Sequence, residues 1–146
     1  PDTTQTTPRL VIEFYDLTSP DEILAVPGLF AIALDTEGLE VPINNEIVTT
    51  RSSITLPLKT NDTETEFILY KSYDLVDGVV SGNPDTIKVT YDTEDVYVSR
   101  ACGYKTNFNI QTFSITADPD QWMISSEILI TEITNENDIH VKILHL

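Results

Sequence analysis

Few side chains in this 146-residue sequence could do acid-base, nucleophilic or metal chemistry at neutral pH. The histidines are His140 and His145, and the single cysteine is Cys102. A nucleophilic mechanism needs Ser99 or Cys102 next to a base and an orienting acid, and no nucleophile elbow or other strained-turn motif surrounds either residue. Two histidines five positions apart on an extended chain face opposite sides, so that segment alone cannot hold one metal. No second Cys or His cluster exists to complete a tetrahedral zinc site. His140 should sit with Lys142 on a polar, exposed face. There is no phosphate-binding loop and no dinucleotide fingerprint. The expectation is therefore no catalytic residue, no cofactor and no metal. The remote alternative is a hydrolase, which would require His140 or His145 within hydrogen-bond reach of Ser99, Cys102 or a carboxylate.

Acids are the commonest polar feature: 24 Asp and Glu against eight Lys and Arg, a net charge of -16. They gather as Asp35 with Glu37, Asp62 with Glu64 and Glu66, Asp92 with Glu94 and Asp95, Asp118 with Asp120, and Glu136 with Asp138. Calcium takes six to eight oxygen ligands, and no cluster has the spacing of a calcium loop, so these read as solvated turns. A surface this acidic repels phosphate backbones and anionic headgroups, which excludes nucleic acid as a partner. Tyr91, Tyr97 and Tyr104, with Trp122, could form an aromatic platform for a glycan or peptide, joined by Tyr70 and Tyr73. The plainer reading is strand tyrosines whose rings pack while their hydroxyls reach solvent.

The elements that must position these residues are strands. From Asp85 to Ile115, apolar residues alternate as Ile87, Val89 and Tyr91, then Val96 and Val98, then Tyr104, Thr106, Phe108 and Ile110. Alternation at period two marks a half-buried strand, and the β-branched and aromatic content excludes a helix. Asp92 to Asp95 should interrupt the first run. Past Ile110 the apolar positions become Phe113 and Ile115, so one extra residue near Gln111 and Thr112 should form a β-bulge.

Elsewhere, Leu10 to Tyr15, Phe30 to Leu34, Thr65 to Tyr73, Ile128 to Thr131 and Ile139 to Leu144 read as strands, the last two as an antiparallel pair. The small Ala31 and Ala33 leave room for something bulky over their face. Pro57 demotes Ile54 to Leu58 to an edge strand, and Leu39 to Thr50 is edge strand or loop. Thr18 to Leu24 could hold a short helical turn ended by Pro27-Gly28. Asp77-Gly78 and Gly82-Asn83-Pro84 carry turn chemistry. Seven to nine short strands without a helical period predict an all-β fold, an antiparallel two-layer β-sandwich of immunoglobulin-like architecture, though lacking the Cys, Trp, Cys spacing of antibody domains. The sandwich should span 9–146 behind a polar, Thr-rich tether at 1–8. No apolar run approaches the roughly 20 residues that cross a bilayer. Cys102 is either a buried small hydrophobe or half of a disulfide whose partner lies outside this sequence.

The run Asp95 to Thr106, DVYVSRACGYKT, with Thr7 to Asp16, TPRLVIEFYD, upstream, resembles a family of small Bacteroidetes lipoproteins of unknown function, over most of the chain. The resemblance implies export through a lipobox, an N-terminal lipid anchor absent from this sequence, and a cell-envelope location facing the periplasm or the exterior. It also implies a further cysteine just before the first block, which would make Cys102 the other half of a disulfide tying tether to strand. It brings no activity, ligand or catalytic residue. In that lineage, threonines after aspartate can be O-glycosylated, and Asp2-Thr3-Thr4 and Asp85-Thr86-Ile87 fit by composition. The expected function is a non-catalytic module that binds or assembles with an envelope protein or a glycan, with a carbohydrate-binding or adhesin-like module as the alternative. The first reading requires an exposed apolar or aromatic patch on one sheet or at one loop end.

Overall fold

The computed structural model describes residues 6–146. Its strands are β1 (Leu10–Asp16), β2 (Val26–Leu34), β3 (Glu40–Val41), β4 (Thr49–Arg51), β5 (Ser53–Leu56), β6 (Glu64–Val76), β7 (Val79–Ser99), β8 (Gly103–Ile115), β9 (Met123–Ile128), β10 (Glu132–Ile133) and β11 (Val141–His145). One sheet has the order β5-β1-β11-β9, and the other β10-β8-β7-β6-β2-β3, with β4 also paired to β2. The fold is an all-β two-layer sandwich, as the alternation predicts. Three of the eleven strands are only two or three residues long, leaving eight longer ones.

Between the layers lie Leu10, Ile12 and Phe14 of β1, Phe67 and Leu69 of β6, Ile87, Val89 and Tyr91 of β7, Phe108 and Ile110 of β8, and Val141 and Ile143 of β11. Burying each large apolar side chain contributes about 1.5–3 kcal/mol, and the period of two puts every second residue of these strands there. β11 does pair antiparallel with a strand that precedes it, but that strand, β9, is Met123–Ile128, so only Ile128 of the expected run Ile128 to Thr131 lies in it, and Glu132–Ile133 joins β8 as β10. The sequence pattern does not carry strand direction, and β1 and β11 prove to run parallel, Ile12 opposite Val141 and Phe14 opposite Ile143. Pro57 ends β5, which is an edge strand.

The bulge at Gln111 is present: Thr90 faces Thr112 while Tyr91 faces Ile110, so Gln111 is the unpaired extra residue and the apolar parity is restored beyond it. Other expectations change. Asp92 to Asp95 do not interrupt β7. Pairing with β6 stops at Glu64 and Thr90, so β7 continues with β8 alone, and acids on this exposed ribbon cost little desolvation. Gly82-Asn83-Pro84 lies inside β7, where Ser72 and Tyr73 of β6 bulge opposite Gly82. Pro84 is tolerated because β8 pairing begins only at Ile87, leaving that edge of β7 outside the β8 ladder. Thr18 to Leu24 contains a turn, Glu22 N–H to Ser19 O at 2.9 Å, rather than a helical turn. Pro27-Gly28 belongs to β2, at an irregularity in its pairing with β4.

Ala31 faces the core, and the bulky Phe30 and Ile32 turn outward, half-buried. Glu46 fills a gap in the edge of β2 between β3 and β4: its Oε2 accepts the Ala31 N–H at 2.7 Å and pairs with Arg51 Nη2 at 2.7 Å. Of the tether expected at 1–8, residues 1–5 lie outside the described residues. Pro8 is buried, and Thr7 Oγ1 accepts the Thr106 N–H at 3.0 Å, so its last residues lie against the domain.

Candidate functional site

Both histidines are buried, which corrects the exposed position expected for His140. His140 Nδ1 accepts the Val11 N–H at 2.9 Å, and its own N–H donates to the Val11 carbonyl at 3.0 Å. It precedes β11 and closes the end of β1, where strand parity no longer governs its direction. Burial holds its imidazole below the usual value, partly opposed by the Asn135 backbone and by Asp138 and Glu136. His145 Nε2 lies 2.8 Å from the Leu24 carbonyl and Nδ1 2.9 Å from that of Leu146, while its ring meets Phe14 and Trp122 edge-on. Main-chain groups thus occupy the nitrogens a base would need, and Ser99 Oγ instead accepts the Cys102 N–H at 3.1 Å.

The four-ring platform does not form. Tyr91 and Trp122 are core residues, 1 % and 3 % exposed, because both occupy inward positions. The Tyr91 hydroxyl donates to the Lys59 carbonyl at 2.7 Å and lies 2.7 Å from Thr65 Oγ1, which accepts the Lys59 N–H at 3.1 Å. That closed ring fastens the segment after β5 to β6 and β7. Trp122 Nε1–H donates to the Leu69 carbonyl at 3.2 Å. Only Tyr97 and Tyr104 remain exposed, as an edge-to-face pair with centroids 5.5 Å apart near the β7–β8 tip. Cys102 sits half-buried in the turn at that tip.

The acidic turns work largely on their own backbones. Asp35 Oδ1 accepts the N–H groups of Glu37 and Leu39 at 2.8 and 2.9 Å, and Asp118 Oδ1 that of Asp120 at 2.8 Å. Asp35, Glu37, Asp62, Glu64 and Glu66 come together around one depression, where Lys88 pairs with Glu64 at 2.9 Å. Among the described residues no three His, Cys, Asp or Glu converge to hold a metal ion.

What the structure does assemble is an apolar hairpin end. Beyond the bulge, β6 and β7 run on as a two-stranded ribbon, Leu75 opposite Val80 and Val76 opposite Val79, closed by Asp77-Gly78. Both turn residues have positive φ, 51° and 78°, the conformation of a tight two-residue hairpin turn. The four aliphatic side chains are 46–67 % exposed. At the root of the ribbon, Tyr73 lies 4.4 Å from Phe30 and 5.0 Å from Tyr70, centroid to centroid. Beside the root, an open groove of about 770 Å³ is lined by Lys71, Asn83, Pro84, Asp120, Gln121 and Trp122, among others. Sequence reasoning missed this cluster: it marked Asp77-Gly78 and Gly82-Asn83-Pro84 as turns around Val79-Val80 and assigned Leu75-Val76 no role. The signal available was the adjacency of two apolar residues on each side of a two-residue turn, too close to the tip for both faces to be covered.

No helix among the described residues is long and apolar enough to cross a membrane. No curated protein and no solved structure matches the sequence. A family model does match, over residues 29–145, which takes in every strand from the latter part of β2 to β11. The chain belongs to DUF6452, a family of unknown function.

Proposed function

We propose that this domain is a non-catalytic binding or assembly module that docks a partner protein with the β6–β7 hairpin end. The observation that carries the reading is the exposure of Leu75, Val76, Val79 and Val80 together on one projecting ribbon. Leu75 and Val80 lie on one face of the ribbon and Val76 and Val79 on the other, so a partner would close around the tip, and exposed apolar surface of this kind marks interaction sites. Asp74 and Asp77 flank the patch, so the partner's groove is apolar with a basic rim. The resemblance of the Thr7 to Asp16 and Asp95 to Thr106 runs to Bacteroidetes lipoproteins supports, as part of the proposal, an envelope location, lipid-anchored and facing the periplasm or exterior, with an envelope protein as partner. A photo-crosslinking residue at Val79 in the native host should capture one defined protein, and a matched probe at Lys105 should not. Equal capture from both positions, or none from Val79, removes the reading.

A carbohydrate-binding or adhesin-like role is favoured by one feature, the exposed Tyr97 and Tyr104 rings. Retention on a glycan array that disappears in a Tyr97→Ala, Tyr104→Ala double variant would establish it; silence of the wild type on the array removes it.

A further inference from the structure

The chain enters the sandwich at one end and presents its apolar tip at the other. Thr7 Oγ1 accepts the Thr106 N–H at 3.0 Å, which sets the entry of β1 beside the β7–β8 end of the second sheet. β1 runs away from that end, from Leu10 to Asp16, which lies opposite His145 of β11. One residue further, the Leu146 carbonyl accepts from Lys71 Nζ at 2.9 Å, so the far ends of β1 and β11 lie at the root of the β6–β7 ribbon. The start of β9 is fastened at the same level. Trp122 Nε1–H donates to the Leu69 carbonyl, and Asp85 Oδ2 accepts the Trp122 and Met123 N–H groups, each at 2.8 Å. Leu75, Val76, Val79 and Val80 project beyond that root.

A pull between the N-terminal segment and the tip therefore acts along the strands, and the first strand it meets is β1. That strand lies inside its sheet, parallel to β11 on one side and antiparallel to β5 on the other. Under such a load β1 must slide lengthwise past both neighbours, which strains all of its cross-strand hydrogen bonds together. A ladder opened sideways yields one bond at a time. Each bond contributes only about 1 kcal/mol at equilibrium, so the direction of loading changes the rate of forced rupture rather than the stability. The ladder also extends past the regular pairing at both ends. Val11 N–H donates to His140 Nδ1 at 2.9 Å and its carbonyl accepts the His140 N–H at 3.0 Å, while Leu17 N–H donates to the His145 carbonyl at 2.9 Å. On the β5 side, Phe14 N–H donates to the Ser52 carbonyl at 2.8 Å. Leu10, Ile12 and Phe14 are fully buried, so sliding drags three apolar side chains out of their places in the core.

We propose that this domain is a load-bearing link, in which tension between the N-terminal segment and the β6–β7 tip is borne in shear by the β1 ladder. That tension enters at the tip rests on the docking role given to it above. The direction-dependent strength does not, and it can be measured without a partner.

Single-molecule pulling tests it, with handles on cysteines introduced in a Cys102→Ser background. One protein carries Thr6→Cys and Val79→Cys, which load β1 lengthwise. The other carries Thr6→Cys and Asn137→Cys, which sit at the same end of β1 and β11 and peel the two strands apart from Val11 onward. At equal loading rate the first pair should need at least about twice the force of the second. It should also fail in one step that frees roughly 250 Å of chain between the handles. His140→Ala, which takes the acceptor from the Val11 N–H, should lower the force in the first geometry. Equal forces in the two geometries overturn the proposal, as does a first step that frees only a short length at the tip, or a lengthwise force unchanged in a folded His140→Ala variant. Loss of the Val79 crosslink with unequal forces removes the docking reading alone; equal forces with the crosslink intact remove the load-bearing reading alone.

Discussion

Two hairpins share β7, and they are built on different terms. The β6–β7 end is bent, with three strands brought into close contact at its root. There Ser72 has φ 57°, Gly82 has φ 120°, and a Cβ on Gly28 would lie 2.9 Å from the Ser72 Cα. The β7–β8 end carries polar and aromatic side chains instead, and its turn glycine, Gly103 (φ 68°), has open space around it. One end is a rigid root holding an apolar tip in water. The other is a solvated ribbon that needs no such root. Strain of this kind persists only where packing over-determines it, and it sits next to the surface that we assign to binding.

The sharpest test sets the two glycines against each other. Alanine at Gly82 would put its Cβ 2.8 Å from Ser72 O and 3.0 Å from Lys71 O, and should cost about 2–4 kcal/mol by urea unfolding. Gly103→Ala, strained only in φ, should cost about 1 kcal/mol. Equal losses would break the comparison.

Two tyrosines of β7 offer a second contrast. Tyr91→Phe strands the Lys59 carbonyl and the Thr65 hydroxyl in the interior and should cost about 1–3 kcal/mol. Tyr97→Phe should stay within about 0.5 kcal/mol. A large effect at Tyr97 would mean that the β7–β8 tip is supported by contacts absent from the monomer.

The pH profile separates the buried groups. His140 is held below its usual value, so the folded state keeps it neutral while the unfolded chain takes up a proton. Stability should therefore be full above about pH 6.5 and fall below it, by at most about 1.4 kcal/mol per pH unit for one proton. His140→Asn, whose amide oxygen can take the place of Nδ1, should flatten that slope; an unchanged slope would assign it elsewhere. Burial raises the Asp85 carboxyl instead, so it acts in the opposite direction, losing stability as pH rises.

The smallest effect on stability should come with the largest on binding. Leu75→Ser with Val80→Ser should move unfolding by no more than about 0.5 kcal/mol, since both side chains are exposed. The same pair should abolish the Val79 crosslink. A destabilised double variant would show that the tip is held by the domain rather than offered to a partner.

Much of the fold was legible in the residues. Period-two alternation located the long strands, and a parity change after Ile110 located the bulge at Gln111, because side-chain parity is a local property of an extended chain. Turn chemistry misled at Gly82-Asn83-Pro84, where the glycine serves a bulge rather than a reversal. The acids at Asp92 to Asp95 misled because a strand leaving its sheet no longer needs an apolar face. The sites were far less legible. Tyr91 and Tyr97 have the same chemistry and opposite fates. Asp85 shows nothing unusual until the fold buries it and brings the Trp122 and Met123 N–H groups, 37 and 38 positions away, to its Oδ2.

What the residues determined by themselves is the class of object: a strand-rich, strongly acidic domain whose alternating apolar positions must be covered by a second layer. Only the tertiary structure decided which apolar residues stayed uncovered, which histidines were buried against the backbone, and which carboxyl was buried. Burial and pairing depend on which strands become neighbours, and neighbours are set by contacts between distant segments that no local pattern encodes.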